Sequence, residues 1–154
     1  MSQKTTRRSF LKTSSEIAAV TAAVSTLGGV HTVAQEKDAK LGIGIIGCGG
    51  IMTHHVQGLV GRREAVEIAW LCDVDPAQIE RMSKQISDGF QAAPPKRTPN
   101  YEDVINDKNV DAVIIATPHH WHAPIAIVAM QAGKDCYIEK PISHVYNEGH
   151  AIIK

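Results

Sequence analysis

Residues Leu41–Met52 read LGIGIIGCGGIM: a short apolar run, a turn punctuated by glycines, and the start of a second apolar pattern. The run predicts a buried strand over Leu41–Ile46. Beyond the turn, Met52, Val56, Leu59 and Val60 stand at i, i+4, i+7 and i+8, the spacing of one helix face. Gly61 ends that helix, with Arg62 and Arg63 just beyond it. A strand that enters a glycine turn and leaves it as a helix is the opening unit of an α/β fold.

The pattern repeats outward. Val66–Cys72 (VEIAWLC) reads as a second strand covered on both faces, as parallel sheets require. Asp75-Pro76 supplies an N-cap and an N1 proline for a helix with Ile79, Met82 and Ile86 inward. Residues 88–99 (DGFQAAPPKRTP) read as a loop with a short strand near Lys96–Thr98, and Tyr101–Asn106 as a short helix. Asp111–Ala116 (DAVIIA) is the clearest strand. Pro124–Ala132 follows as a helix stopped by Gly133, then a strand over Asp135–Glu139 and a helix beginning at Asn147. Strands and helices alternating through short connections predict a Rossmann-type doubly wound parallel sheet. Ligands of such sheets sit at the carboxyl ends of the strands, so the residues that follow each strand are the candidates for chemistry.

In the loop Gly47-Cys48-Gly49-Gly50-Ile51-Met52, Gly47 permits the tight turn and Gly49 lets the backbone approach a pyrophosphate. The anion would rest on free N–H groups at the helix start, where the dipole favours negative charge. Met52 replaces the third glycine of GxGxxG and must fit between helix and sheet. Asp73 closes the second strand 21 residues later, at the distance where a carboxylate accepts bonds from ribose hydroxyls. It would repel a 2′-phosphate, which favours NAD over NADP.

Two further clusters end strands: Thr117-Pro118-His119-His120-Trp121-His122 and Glu139-Lys140-Pro141. Together with GIIGCGG, Asp73-Val74-Asp75 and AGKDCYIEKP, they resemble the Gfo/Idh/MocA oxidoreductase family, named for glucose–fructose oxidoreductase, inositol dehydrogenase and a rhizopine-catabolism protein. The likeness runs from Leu41 to the chain end, and TPHHWHAPIAIVAMQAGK and YIEKPIS are its most specific parts. It implies that the loop Gly47, Gly49, Gly50, Ile51, Met52 carries the pyrophosphate and Asp73 the adenosine ribose. Thr117, Pro118, His119 and His122 would line the nicotinamide side, and Glu139 would help hold the cofactor. Lys140 would bind there too, as the catalytic lysine contacting the substrate hydroxyl. His55 matches a histidine common in the family's first helix and reads as packing.

Lys140 has a physical case of its own. Removing hydride from a carbinol carbon requires that the hydroxyl proton be taken or the oxygen's charge stabilised. An ammonium does the second, and a neighbouring positive nicotinamide with partial burial would release its amine form for the first. An exposed lysine at a strand end is the competing reading. His119, His120 and His122 could instead ligate a metal, but neighbours in an extended loop point apart and no cysteine or acid completes a set. No metal is therefore expected. Trp121 reads as packing at the sheet edge, and Cys48, Cys72 and Cys136, without CxxC spacing, as small buried apolar groups.

Apolar residues make up 44% of the 154 and charged ones 21%, a globular composition. Lys4, Arg7, Arg8 and Lys12 lie in the first 34 residues against Glu16 alone, leaving 12 basic and 15 acidic residues beyond. That body has no electrostatic footprint for nucleic acid. Arg7-Arg8-Ser9-Phe10-Leu11-Lys12, the mild apolar run Ile17–Val30 and small residues at Thr32 and Ala34 resemble a twin-arginine signal over residues 1–34. The expectation is folded export to the periplasm by the twin-arginine machinery, cofactor in place. Residues 41–154 are expected to form the cofactor domain, ending before its last strand and before the family's second, substrate-binding domain. The resemblance implies hydride transfer between a sugar or polyol hydroxyl and NAD, and self-association as a homo-oligomer. The alternatives are the family's NAD-dependent glycosidase branch and a non-catalytic dinucleotide-binding fragment.

Overall fold

In the computed structural model, which describes residues 40–153, every strand pairing is parallel. The elements run β1 (Leu41–Ile46), α1 (Gly50–Val60), β2 (Val66–Cys72), α2 (Pro76–Phe90), β3 (Lys96–Thr98) and α3 (Tyr101–Asn106). Then come β4 (Ala112–Ile115), a 3₁₀ turn (His119–Trp121), α4 (His122–Gln131), β5 (Asp135–Ile138) and α5 (Tyr146–Ile153). The sheet order is β3-β2-β1-β4-β5, reversing direction of growth at β1. The predicted signal over residues 1–34 lies outside the described residues.

Alternation along the strands splits the core into two layers. Ile43 and Ile45 of β1 join Leu71 of β2, Met52 and Val56 of α1, and Ile79, Met82 and Ile86 of α2. Ile46 and Cys72, one position on, join Val104 and Ile105 of α3, Val113 and Ile115 of β4, and Ile125, Ala126 and Ala129 of α4. Burying both faces of one sheet makes it doubly wound.

Register aligns the strand ends. Cys72 pairs with Thr98 and with Ile46, Ile46 also with Ile115, and Ile115 with Ile138. The carboxyl ends of all five strands therefore form one row, and every candidate residue from Gly47 to Lys140 follows a member of it.

The elements differ from the sequence reading mostly at their ends. Helix α2 continues through Asp88-Gly89-Phe90, where a loop was expected. Phe90, four residues beyond Ile86, extends the apolar face onto the core, and Gly89 lets α2 close on Val60 of α1. Gln91 at φ 53° ends the helix in a left-handed turn. Strand β4 is shorter than Asp111–Ala116 by one residue at each end, although the Asp111 amide still donates to the Gly42 carbonyl at 2.8 Å and the Ala116 amide to that of Ile46 at 2.9 Å. The extended loop expected at His119–His122 is instead a 3₁₀ turn running straight into α4, which starts two residues before Pro124. Asp75 caps α2 as its sequence predicts, accepting from the Ala77 amide at 2.9 Å.

Candidate cofactor cleft

A cleft of about 670 Å³ opens along the strand-end row, at the reversal between β1 and β4. Its floor is the glycine loop: Gly47, Gly49, Gly50 and Ile51. Gly47 has φ +93°, and a Cβ there would lie 2.5 Å from the Ala116 oxygen, so both conformation and space demand glycine. Gly49 and Gly50 differ in kind: a Cβ on either would meet nothing within 4 Å. Neither is needed for packing, and what their bareness preserves is open space above the backbone. Gly49 caps α1 without a side-chain hydrogen bond, which leaves first-turn amides for an incoming anion.

Asp73 stands on the β2 side. Its Oδ2 accepts the Cys48 amide at 2.7 Å and its Oδ1 the Asp75 amide at 2.9 Å. The carboxylate thus fixes the glycine loop and the turn into α2, and each oxygen keeps a lone pair for a ribose hydroxyl. Opposite, Thr117 and Pro118 form the β4 wall, and Thr117 Oγ1 is buried with no hydrogen-bond partner among the described residues. Val74, Pro99, Asn100, Tyr101 and Trp121 complete the rim.

The remaining sequence candidates stand elsewhere on the row. Met52, expected to help carry the pyrophosphate, is fully buried beneath the loop, and its amide already donates to the Gly49 carbonyl at 3.2 Å. His119 is exposed on the 3₁₀ turn. His122, expected to line the cleft, is 1% exposed and turned inward, its Nε2 2.8 Å from the Thr117 carbonyl and its Nδ1 2.7 Å from that of Pro141. Glu139 and Lys140 follow β5, one strand beyond the cleft walls, and Lys140 is exposed at a cis Lys140–Pro141 bond. Glu139 Oε1 accepts from His55 Nε2 at 2.7 Å, and Oε2 accepts the Lys140 amide at 3.1 Å. The His55 bond, then that amide, hold the Glu139 carboxyl below its ordinary range.

Three side chains do work that the sequence did not signal. His55 is more than packing: it ties α1 to Glu139 while lying edge-on to Tyr137, ring centroids 5.2 Å apart. Trp121 is 45% exposed at the cleft rim, 6.3 Å from the Tyr101 ring, rather than packed away. Arg81 of α2 donates to the Cys48 carbonyl at 2.6 Å and to Thr53 Oγ1 at 2.9 Å, bracing the loop from behind. A cation pointing across from a neighbouring helix leaves no periodic trace, so only the fold reveals it.

Burial pushes the Cys48 and Cys72 thiols up to about 12 and Cys136 to about 11, with the Asp73 carboxylate adding to the first two. All three are free and disposed as apolar filler. Among the described residues no three His, Cys, Asp or Glu side chains converge on a metal position. Nor is any described helix long and apolar enough to cross a membrane.

A parallel sheet reversing at β1, a bare glycine turn at a helix start and an acid ending β2 define a dinucleotide-binding α/β domain. The family model described as "Oxidoreductase family, NAD-binding Rossmann fold" matches residues 41–154, and the chain belongs to that Gfo/Idh/MocA family. Among curated relatives, an α-N-acetylgalactosaminidase of Shewanella oneidensis is 31% identical over 96% of this chain and 36% of its own length. A glycosyl hydrolase family 109 protein of Shewanella sp. (strain ANA-3) is 33% identical over 92% of this chain and 35% of its own. Among solved structures, myo-inositol 2-dehydrogenase of Lactobacillus plantarum superposes with a TM-score of 0.65 at 29% identity, covering 74% of this chain and 32% of that one. The dehydrogenase WlbA of Chromobacterium violaceum, solved with NADH and UDP-GlcNAcA, shares the fold with a TM-score of 0.68 at 24% identity, covering 76% and 32%. The chain thus spans about a third of the length of these relatives.

Proposed function

We propose that this chain is the cofactor-holding part of an exported enzyme that takes hydride from a sugar or polyol carbinol carbon onto NAD. The observation that carries the reading is the cleft itself: unpacked Gly49 and Gly50, an α1 start with no side-chain cap and the Asp73 carboxylate lie along one strand-end row. The α1 amides would hold the pyrophosphate, Asp73 the adenosine ribose and Thr117 with Pro118 the nicotinamide side. When bound, the nicotinamide supplies the hydride acceptor. Lys140, on the same row, would neutralise charge on the substrate oxygen and, as the free amine, take its proton. His55 would keep Glu139, and so the Lys140 backbone, in place. Asp73 selects NAD over NADP by charge.

A second reading shares that first step. The family 109 relatives and the α-N-acetylgalactosaminidase are named as glycosidases, and they favour hydride abstraction followed by its return, with no net redox change. Turnover of a chromogenic N-acetylgalactosaminide without added cofactor would decide for it. Accumulation of NADH with a polyol would decide for the dehydrogenase. In either case Lys140→Ala should abolish turnover while leaving NAD affinity within about twofold; undiminished turnover refutes the assignment. Export rests on the Arg7-Arg8 segment, and an N-terminus starting near Gln35 in the periplasmic fraction is its test.

A further inference from the structure

His122 sits where two loops meet, and both its ring nitrogens face backbone carbonyls. The partners come from different strand ends: Thr117 after β4 and Pro141 after β5. A carbonyl oxygen only accepts, so each contact requires an N–H on the ring. A neutral imidazole carries one; its other nitrogen would set a lone pair against an oxygen less than 3 Å away. We propose that His122 is a positioning residue, a doubly donating imidazolium that clips the Thr117 loop to the Lys140-Pro141 loop. Charge-assisted bonds are about twice as strong as neutral ones, and two of them to the buried ring must offset the desolvation that its charge costs.

The charged and titratable groups around the ring are few. His119 of the 3₁₀ turn has its ring centroid 5.9 Å away. Glu139 and Lys140 precede Pro141 on the β5 side, where Glu139 is engaged by His55. Helix α4 carries no charged residue beyond His122 itself. On α5, which packs against α4, Glu148 is turned to the amides of His144 and Val145, and His150 lies against Tyr146. The two backbone oxygens are therefore the recorded hydrogen-bond partners of the ring. The consequence for catalysis rests on the proposed function: the clip would fix Lys140 relative to the nicotinamide wall at Thr117.

The test uses the ¹⁵N-labelled 154-residue chain at neutral pH, without cofactor. Two ring N–H signals from His122, both slow to exchange, are expected; one signal or none overturns the proposal. His122→Gln, which cannot reach both carbonyls, should speed amide exchange about tenfold at Trp121 and Lys140, the hydrogen-bonded amides of the two loops, while sparing β1 and α1. Unchanged exchange in that folded variant also overturns it. NAD titration of the wild-type chain is read separately. Two N–H signals without NAD binding would sink the proposed function and leave the clip standing.

Discussion

Two alanine substitutions two residues apart should have opposite consequences. At Gly47 the added methyl meets the Ala116 carbonyl oxygen at 2.5 Å and its carbon at 2.6 Å, both backbone atoms of β4's exit. The left-handed backbone at φ +93° adds about 1–2 kcal/mol for any L-residue. Relieving the clash means parting two paired strands, so Gly47→Ala should cost about 3 kcal/mol in all. For a domain near this size that lowers Tm by about 10–20 °C. At Gly49 φ is −67° and nothing lies within 4 Å, so Gly49→Ala should cost less than about 1 kcal/mol, the loss of an N-cap preference alone. Its methyl would nevertheless occupy the space where a pyrophosphate must meet the backbone, weakening NAD binding about tenfold or more. Thermal unfolding and calorimetric titration of the two variants read both quantities. Equal destabilisation by both, or unweakened NAD binding by Gly49→Ala, would refute the reasoning.

Other outcomes follow from the same geometry. Asp73→Asn removes the charge facing the ribose and replaces one acceptor with a donor beside the Cys48 or Asp75 amide. It should weaken NAD about tenfold while narrowing discrimination against NADP; an unchanged ratio of affinities counts against the ribose role. His55→Ala should let the Glu139 carboxyl titrate closer to its ordinary range, read by ¹³C NMR, since the His55 bond is the main cause of its depression. A carboxyl depressed in the folded state stabilises above its unfolded pKa, and that stability fades as pH falls through the folded value. The variant should accordingly lose less stability in acid than the parent, and an unmoved Glu139 midpoint would contradict the assignment. Cys48 should react with iodoacetamide at pH 8 about a thousandfold more slowly than a free thiol, since burial lifts it from 9.0 to about 12. A thiol raised in the folded state stabilises fully below its unfolded pKa, and this is lost as pH rises from about 9 toward 12. Rapid labelling of the native chain would show that the loop opens.

What was legible in the sequence was whatever a local pattern specifies. Strands β1 and β2 could be bounded to the residue because both end in a change of composition, Ile46 to Gly47 and Cys72 to Asp73. Asp75-Pro76 marks a helix start for the same reason, through a cap whose chemistry is local. The end of α2 was not legible, since Gly89 looks like a breaker until Val60 is seen to need the space. Nor was the 3₁₀ turn at His119–Trp121, which has no periodic signature over three residues. In the cleft, Gly47, Gly49, Asp73 and Thr117 could be named in advance because each follows a strand. The partners of His55, Arg81 and His122 could not, since each bond joins groups that only the tertiary fold brings together.

The central claim is that the strand-end cleft is an NAD site. Calorimetric titration of the folded 154-residue chain with NAD tests it most directly, with NADP and Gly49→Ala as comparisons. The account predicts saturable one-to-one binding of NAD, weaker for NADP and weakened by Gly49→Ala. A folded chain that takes up no NAD at millimolar concentration, or binds NAD and NADP alike and regardless of Gly49, would contradict it.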